Sequence, residues 1–207
     1  MITLHHLEQS RSHRVLWLLE ELELPYEIVR YARNPKTMLA PPELERVHPL
    51  GKSPVVTDDG RTVAESGAII EYLIERHGGG RLAPAPGSSE QLRYRYYMHY
   101  AEGSLMPPLL VKLIAARVRS APLPFFLKPV TRKIGDGLDS AYCDPNLRRH
   151  IAFLEGELAS STWFAGDELT GADIQMSYPV EALVTRGGLP VGPRLQAFVE
   201  RARARPA

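Results

Sequence analysis

The sequence contains a single cysteine, Cys143, among its 207 residues. No intramolecular disulfide can form, so an oxidising compartment is not implied. The chain also lacks any run of 18 apolar residues, and no membrane-spanning helix is predicted. Its first residues show no apolar stretch flanked by basic side chains. We therefore expect no signal peptide and take the cytoplasm as the default location.

Charge of one sign is not in excess, since 25 basic residues stand against 24 acidic ones and the net charge is +1. This balance argues against nucleic acid as the main partner. Hydrophobic residues make up 44% of the chain and charged residues 24%, a composition typical of a folded globular protein. The length suits one large domain or two small ones.

The first part of the chain alternates strand and helix patterns. β-branched residues begin a strand over 2–7, and a helical stripe of valine and leucine follows and ends before Pro25. A second strand is predicted over 26–31. After a short helix that starts with proline, two β-rich runs flank Asp59 and Gly60, a pair typical of a hairpin turn. One more helix completes the order βαβ–ββα.

Glycine and proline mark a linker over 79–89. Strand alternation is absent from 90–207, where apolar residues recur at helical spacing, so the second domain is predicted to be all-helical. We expect its second helix to be interrupted at Pro129 and Gly135. Pro179 is expected to kink the fourth helix.

One motif of the second domain has a structural explanation. Thr170 is followed three residues later by Asp173, which is a variant of the capping box at a helix start. We therefore expect replacement of Asp173 to impair folding and not chemistry.

This layout of a small βαβ–ββα unit joined to an all-helical domain resembles the cytosolic glutathione transferases. Four motifs occur in the order of that family: "SRSHRVLWLLEEL", "HPLGKSPVV", "VAESGAIIEYL" and "WFAGDELTGADIQMSYP". The stretches "APPEL" and "HYAEGSLMPPLL" are most similar to a bacterial and fungal branch that includes a yeast membrane-associated transferase. The resemblance implies a thioredoxin-like domain over 1–78 that binds glutathione, a helical domain over 90–207 that lines the electrophile site, and usually a homodimer.

The resemblance assigns part of glutathione binding to "GKSP". In the family the peptide bond between Ser53 and Pro54 is cis, which turns the backbone of Val55 toward the cysteinyl part of glutathione. Lys52 would reach a carboxylate of glutathione. Without the resemblance, a lysine in a loop is usually a solvated side chain.

A second binding motif is the pair Glu65 and Ser66, where the hairpin ends and a helix begins. Serine is a common N-cap, and the first amides of a helix attract anions. The resemblance implies that Ser66 and its neighbouring amide hold the γ-glutamyl carboxylate of glutathione. Glu65 would meet the γ-glutamyl ammonium or support the site.

The start of the first helix is predicted to activate the thiol, because the thiolate of glutathione is the nucleophile. A thiol with a pKa of about 8.5 is only about 3% ionised at pH 7, and lowering that pKa by two units takes about 2.7 kcal/mol. A hydroxyl that donates to the anion supplies about 1.5–3 kcal/mol. The helix dipole adds about 0.3–1 kcal/mol, so neither a metal ion nor a general base is needed.

Two serines could donate this hydrogen bond. In serine-type transferases the hydroxyl lies four residues before an arginine of the first helical turn, and Ser10 and Arg14 have that spacing. We expect Ser10 to contact the sulfur and Ser12 to cap the helix, with the reverse as the alternative. Arg11 would add positive charge near the sulfur. No tyrosine precedes this helix and no cysteine lies in the first domain, which argues against the tyrosine-type and glutaredoxin-type mechanisms.

The predicted function is a glutathione S-transferase that joins the thiolate to a small electrophile and reduces peroxides weakly. Among the aromatic residues of the second domain, Tyr100 is predicted to line the substrate pocket. The alternatives are a non-catalytic glutathione-binding or protein-interaction module on the same fold, and an isomerase or dehalogenase that uses glutathione as a cofactor. The presence of Ser10, Lys52, Glu65 and Ser66 favours the enzyme.

Overall fold

Four strands and two helices form the first part of the chain in a computed structural model that describes residues 1–207. These elements are β1 (Ile2–Leu7), α1 (Ser12–Glu21), β2 (Tyr26–Tyr31), β3 (Val55–Asp58), β4 (Arg61–Ala64) and α2 (Ser66–His77). A short 3-10 helix over Pro42–Arg46 lies between β2 and β3. The order is the βαβ–ββα arrangement that the sequence predicts.

The strands form one mixed sheet in the order β2-β1-β3-β4. Strands β1 and β2 are parallel and are connected through α1, whereas β3 is antiparallel to both β1 and β4. Val56 in β3 lies opposite Leu4 on one side and Val63 on the other. The prediction of a thioredoxin-like first domain is confirmed.

Helix α1 packs between this sheet and the rest of the protein. Its Val15, Leu18 and Leu19 share one face at helical spacing and are fully buried. The helix contacts β1 and α2 of the first part of the chain and a helix over Gly171–Arg186 in the second part. The first turn of α1 therefore lies at the junction between the two parts of the molecule.

The remainder of the chain contains only helices, which confirms the all-helical prediction. They are α3 (Ser89–Tyr100), α4 (Met106–Arg119), α5 (Lys128–Leu138), α6 (Asp144–Glu157), α7 (Gly171–Arg186) and α8 (Pro193–Arg203). A single-turn π-helix over Ala101–Leu105, called the first π-turn below, joins α3 to α4 without a break, and a second over Asp139–Cys143 joins α5 to α6. Length and apolarity sufficient to cross a bilayer are not combined in any of these helices.

The two parts of the chain share one continuous apolar core. Leu4 and Ile70 of the first domain belong to the same buried cluster as Tyr97, Phe164 and Phe198 of the second. Burial of apolar surface stabilises each part against the other. This shared core therefore sets the position of one domain relative to the other.

Pro129, Gly135 and Pro179, where helix breaks or kinks were predicted, all lie within helices. The predicted interruption at Pro129 and Gly135 is wrong, because Pro129 lies in the first turn of α5, where the missing N–H has no intrahelical partner in any case. Gly135 lies within α5 against α4, where a Cβ would be 3.0 Å from the carbonyl oxygen of Ala115. Its role is close helix packing. Helix α7 continues through Pro179, which is buried.

The capping box at the start of α7 is present. Both the N–H and the hydroxyl of Thr170 donate to the Asp173 carboxylate at 2.9 Å, and the N–H of Phe164 donates to it at 2.8 Å. Asp173 is fully buried. Burial raises the pKa of Asp173 to about 6, although the three donors act in the opposite direction.

We predict that Asp173→Ala lowers the free energy of unfolding by about 2–4 kcal/mol, because three buried donors lose their acceptor. Urea unfolding measures this loss. Asp167→Ala is the matched control, since this exposed carboxylate of the loop before α7 accepts only the N–H of Thr162. Its cost should stay within about 1 kcal/mol. Equal losses in the two variants would contradict the structural role of Asp173.

Candidate active site

A cavity of about 330 Å³ opens between the two domains, beside the first turns of α1 and α2. This volume lies in the range typical of small-molecule sites. The structure brings five of the six residues predicted to bind glutathione to its wall: Lys52, Ser53, Pro54, Glu65 and Ser66. The sixth, Val55, has a fully buried side chain and can offer only its backbone.

The wall contributed by "GKSP" has the backbone conformation that the resemblance implies. The Ser53–Pro54 peptide bond is cis. Val55 follows directly as the first residue of β3, opposite His5 and Ala64. Lys52 is exposed, and its ammonium has no hydrogen-bond acceptor or ion-pair partner within the chain, so it can bind a carboxylate at the cavity.

The start of α2 forms another part of the wall. The prediction that Ser66 caps this helix is wrong, because Ser66 is its first residue and Glu65 occupies the N-cap position. Glu65 has φ +70°, a left-handed conformation that costs a non-glycine residue on the order of 1–3 kcal/mol. The first amides of the helix have no intrahelical acceptor and can bind an anion. The exposed Glu65 carboxylate is unpaired and can bind a cation.

The two serines of the α1 turn have different surroundings. The N–H of Ser12 donates to the Ser10 hydroxyl at 3.2 Å, so Ser10 and not Ser12 satisfies an amide at the start of the helix. The predicted capping role of Ser12 is therefore wrong. The Ser12 hydroxyl is fully buried and contacts His6 Nδ1 at 2.9 Å, Ser10 Oγ at 2.8 Å and the Leu7 carbonyl at 3.4 Å.

Neither Ser10 nor Ser12 is among the residues that line the cavity, but Ser10 contacts a residue that does. Its hydroxyl oxygen is 3.4 Å from that of Ser53, which lines the cavity. Ser53 itself donates to the His5 carbonyl at 2.9 Å and accepts the N–H of Leu7 at 3.2 Å. The proton of Ser53 is therefore committed, and Ser10 is the hydroxyl next to this wall whose proton is not fixed by its contacts.

Arg11 connects the cavity with a second one of about 440 Å³. The second cavity is largely apolar, and its lining includes Met106, Leu109, Leu113 and Tyr178. Sequence reasoning missed Leu109, Leu113 and Tyr178, although for the two leucines the apolar run "LMPPLLVKLI" was a signal of a buried or cavity-lining helix. An apolar compound in this second cavity would lie next to a ligand in the first.

Tyr100 is not brought to either cavity. It is buried at 6% exposure in the helical core, where it hydrogen bonds to His150 and its ring packs against Tyr96 and Phe153. The face of α3 that carries Tyr100 points toward α6 and not toward the cleft. A tyrosine-rich helix in a single sequence does not reveal which of its faces lines a pocket.

Arg14 is buried at the domain junction, with a side-chain exposure of 1%. It donates to the carbonyl and the side-chain oxygen of Gln175 at 2.6 and 2.9 Å, and to Glu102 at 2.5 Å. Glu102 belongs to the first π-turn and also accepts a hydrogen bond from Arg11 at 2.9 Å. Burial acts to raise the pKa of Glu102, but the two arginines lower it overall.

Comparison with known proteins identifies the family. Residues 10–76 match the glutathione S-transferase N-terminal domain, and residues 127–206 match the glutathione S-transferase C-terminal domain. The chain is 36% identical over 193 residues to glutathione S-transferase 1 of Saccharomyces cerevisiae, an alignment that covers 90% of this chain and 82% of the yeast protein. The chain belongs to the glutathione S-transferase family.

A second yeast relative and a solved structure support the same family. Glutathione S-transferase 3 of Schizosaccharomyces pombe is 39% identical over 183 residues, covering 88% of this chain and 74% of that protein. A crystal structure of a glutathione S-transferase from Actinobacillus pleuropneumoniae has a TM-score of 0.76 and 32% identity, covering 100% of this chain and 88% of that one. The predictions of the glutathione transferase fold and of a transferase are confirmed. No group of three or more His, Cys, Asp or Glu side chains in the transferase is placed to hold a metal ion.

We predict that Glu102→Gln destabilises the transferase by about 1–3 kcal/mol, because the buried Arg14 charge loses its carboxylate while Glu102 itself is only partly buried. Urea unfolding at neutral pH measures the loss. The pKa of Glu102 is lowered in the folded state, so its contribution is present above about pH 4.3 and disappears as the pH falls through the lowered value. The difference between variant and wild type should shrink accordingly in acid.

Glu181→Gln is the control for a surface pair, since its partner Arg203 is 61% exposed. The expected cost is about 0–1 kcal/mol at any pH. A Glu102→Gln variant no less stable than this control would show that the junction does not depend on the buried ion pair.

Proposed function

We propose that this transferase binds glutathione in the 330 Å³ cavity and activates its thiol with the Ser10 hydroxyl. A small apolar electrophile would occupy the adjoining apolar cavity. The observation that supports this most strongly is the convergence of Lys52, Glu65 and Ser66 on one cavity whose wall meets Ser10. The two cavities share Arg11 and Leu110, so nucleophile and electrophile would lie side by side.

Charge complementarity supports glutathione as the ligand. Glutathione carries two carboxylates and one ammonium group. The first amides of α2 with Ser66 suit the γ-glutamyl carboxylate, and the unpaired Glu65 suits the ammonium beside it. Lys52 suits the second carboxylate, and the backbone of Val55 suits the cysteinyl peptide group. These contacts would place the sulfur toward the start of α1.

At the sulfur, the Ser10 hydroxyl would donate to the thiolate, and Arg11 would add a positive charge that Glu102 partly neutralises. A charged hydrogen bond of about 1.5–3 kcal/mol corresponds to a decrease of about one to two units in the thiol pKa. Ser12 is the weaker candidate because its hydroxyl contacts no residue of the cavity wall, whereas Ser10 contacts Ser53. This is a serine-type mechanism.

The reaction itself is a substitution at the electrophile. The thiol proton passes to solvent, the sulfur forms a bond to the electrophilic carbon, and the leaving group, chloride in a chloroarene, departs with the bonding pair. Met106, Leu109, Leu113 and Tyr178 would hold the apolar body of the substrate, in place of the predicted Tyr100. Weak reduction of a peroxide by two glutathione molecules, which form a disulfide, is a secondary expectation.

We also infer a likeness to the bacterial and fungal branch that includes a yeast membrane-associated transferase, a homodimeric state and a cytoplasmic location. The identity of 36–39% to two yeast glutathione S-transferases supports the branch. A non-catalytic module is less well supported, because two relatives at 36% and 39% identity are named glutathione S-transferases.

The proposed activity predicts retention of the protein on immobilised glutathione and conjugation of chlorodinitrobenzene. Formation of the thioether is followed by absorbance against the uncatalysed rate. Retention without conjugation across a panel of electrophiles would support the binding module instead of the enzyme.

Ser10→Ala should raise the pKa of the bound thiol by about one to two units, because the anion loses a charged hydrogen bond. The affinity for glutathione should change little, since the charged contacts of the tripeptide remain. Ultraviolet absorbance of the thiolate during a pH titration gives the pKa, and calorimetry gives the affinity. Ser12→Ala is the control and should leave the thiol pKa near the wild-type value. The opposite pattern would assign the thiolate contact to Ser12.

A further inference from the structure

A chain of three hydrogen-bonding groups runs from β1 to the proposed sulfur position. His6 Nδ1 lies 2.9 Å from the Ser12 hydroxyl, which lies 2.8 Å from the Ser10 hydroxyl. Each hydroxyl has one proton to donate and two lone pairs that accept. The direction of the chain therefore decides where the proton of Ser10 points.

The neighbours of Ser10 restrict this direction. The N–H of Ser12 can only donate to Ser10, and the proton of Ser53 is used by the His5 carbonyl. Ser53 can therefore accept from Ser10 but not donate to it. The one bond of Ser10 whose direction is open is the short contact with the Ser12 hydroxyl, and the group at the far end of that contact is His6.

The Leu7 carbonyl oxygen lies 3.4 Å from the Ser12 hydroxyl, beyond the usual range of about 2.5–3.0 Å for an O–H···O bond, so it competes weakly for the Ser12 proton. Two arrangements of protons satisfy the shorter contacts. If His6 carries a proton on Nδ1, it donates to Ser12, Ser12 donates to Ser10, and the proton of Ser10 is free for the cavity. If Nδ1 has no proton, Ser12 donates to His6, and the 2.8 Å contact then requires Ser10 to donate to Ser12. The second arrangement leaves no hydroxyl proton for a thiolate.

We infer that His6 is a positioning residue of this transferase, which by donating from Nδ1 to Ser12 directs the hydroxyl proton of Ser10 toward the sulfur of glutathione. The inference rests on the proposed function, because it acts only through Ser10 as the donor to the thiolate. His6 touches neither the sulfur nor the rest of the bound tripeptide in this scheme.

The surroundings of His6 are consistent with a neutral ring whose tautomer matters. Burial lowers the pKa of His6, the nearby His13 and Arg30 lower it further, and Glu8 acts in the opposite direction. A neutral imidazole has its proton on one of the two ring nitrogens. A thiolate at Ser10 would favour the tautomer protonated on Nδ1, since only that tautomer leaves a donor for the anion.

Asparagine and aspartate at position 6 distinguish a donor from an acceptor of similar shape. The amide of His6→Asn can turn its N–H toward Ser12, and the thiol pKa should stay close to the wild-type value. The carboxylate of His6→Asp can only accept, so it should raise the thiol pKa by about one to two units, as Ser10→Ala does. Glutathione affinity should be retained in both variants.

His13→Asp is the matched control for the added charge. His13 is exposed and its ring centroid lies 5.3 Å from that of His6, so the carboxylate acts from a similar place without a contact to Ser12. Its effect on the thiol pKa should be much smaller. In a Ser10→Ala background, His6→Asp should add no more than His13→Asp does, because the path to the sulfur is already broken.

Nitrogen NMR of the wild-type complex with glutathione gives a second test that needs no variant. We expect the His6 signals of the tautomer protonated on Nδ1. The tautomer protonated on Nε2 in that complex, or an effect of His6→Asp that persists without Ser10, would overturn the role of His6.

If Ser10→Ala itself leaves the thiol pKa unchanged, the proposed donor and the role of His6 both fail. A normal effect of Ser10→Ala with equal effects of His6→Asp and His13→Asp refutes His6 alone.

Discussion

The buried guanidinium of Arg14 is the interaction on which the geometry of the site depends. A charge with 1% exposure requires a compensating carboxylate and hydrogen-bond acceptors. Glu102 from the first π-turn and Gln175 from α7 provide them, so three segments that are distant in sequence meet at the first turn of α1. The cavity between the two domains opens beside this junction, where Arg11 and Glu102 line it. Because Glu102 also binds Arg11, the same carboxylate sets the position of a cation at both cavities.

Around this junction, polar groups divide into those whose hydrogen bonds are complete and those left open. Ser12 and Ser53 have all their protons engaged inside the protein. Lys52 and Glu65, by contrast, are exposed and unpaired at the cavity wall, and Glu65 is held in an unfavourable backbone conformation. Unpaired charges of opposite sign within one cavity suit a ligand that carries both signs. Groups with complete hydrogen bonds thus hold the junction together next to the site, whereas the proposed binding uses groups that the fold leaves free.

The elements of the fold could be predicted because periodicity and turn chemistry act locally. The alternation of strands, the Asp59–Gly60 hairpin and the Thr170–Asp173 capping box each depend on residues close together in the chain. The roles of Ser12 and Ser66 as caps were predicted wrongly, since composition identifies a helix start only to within one or two residues. Tyr100 was predicted without knowledge of which helix face meets the cleft.

Other features depend on tertiary contacts and leave no local signal. The positive φ of Glu65, the burial of Arg14 and the approach of His6 to Ser12 all require segments to be placed in three dimensions. The proposed mechanism requires the Ser10 hydroxyl to donate to the sulfur of glutathione. A crystal structure of the complex with glutathione tests it most directly. We expect Ser10 Oγ at roughly 3 Å from the sulfur, with the hydrogen bond between Ser12 and His6 still in place. A sulfur in contact with Ser12, or with no hydroxyl at all, would contradict it.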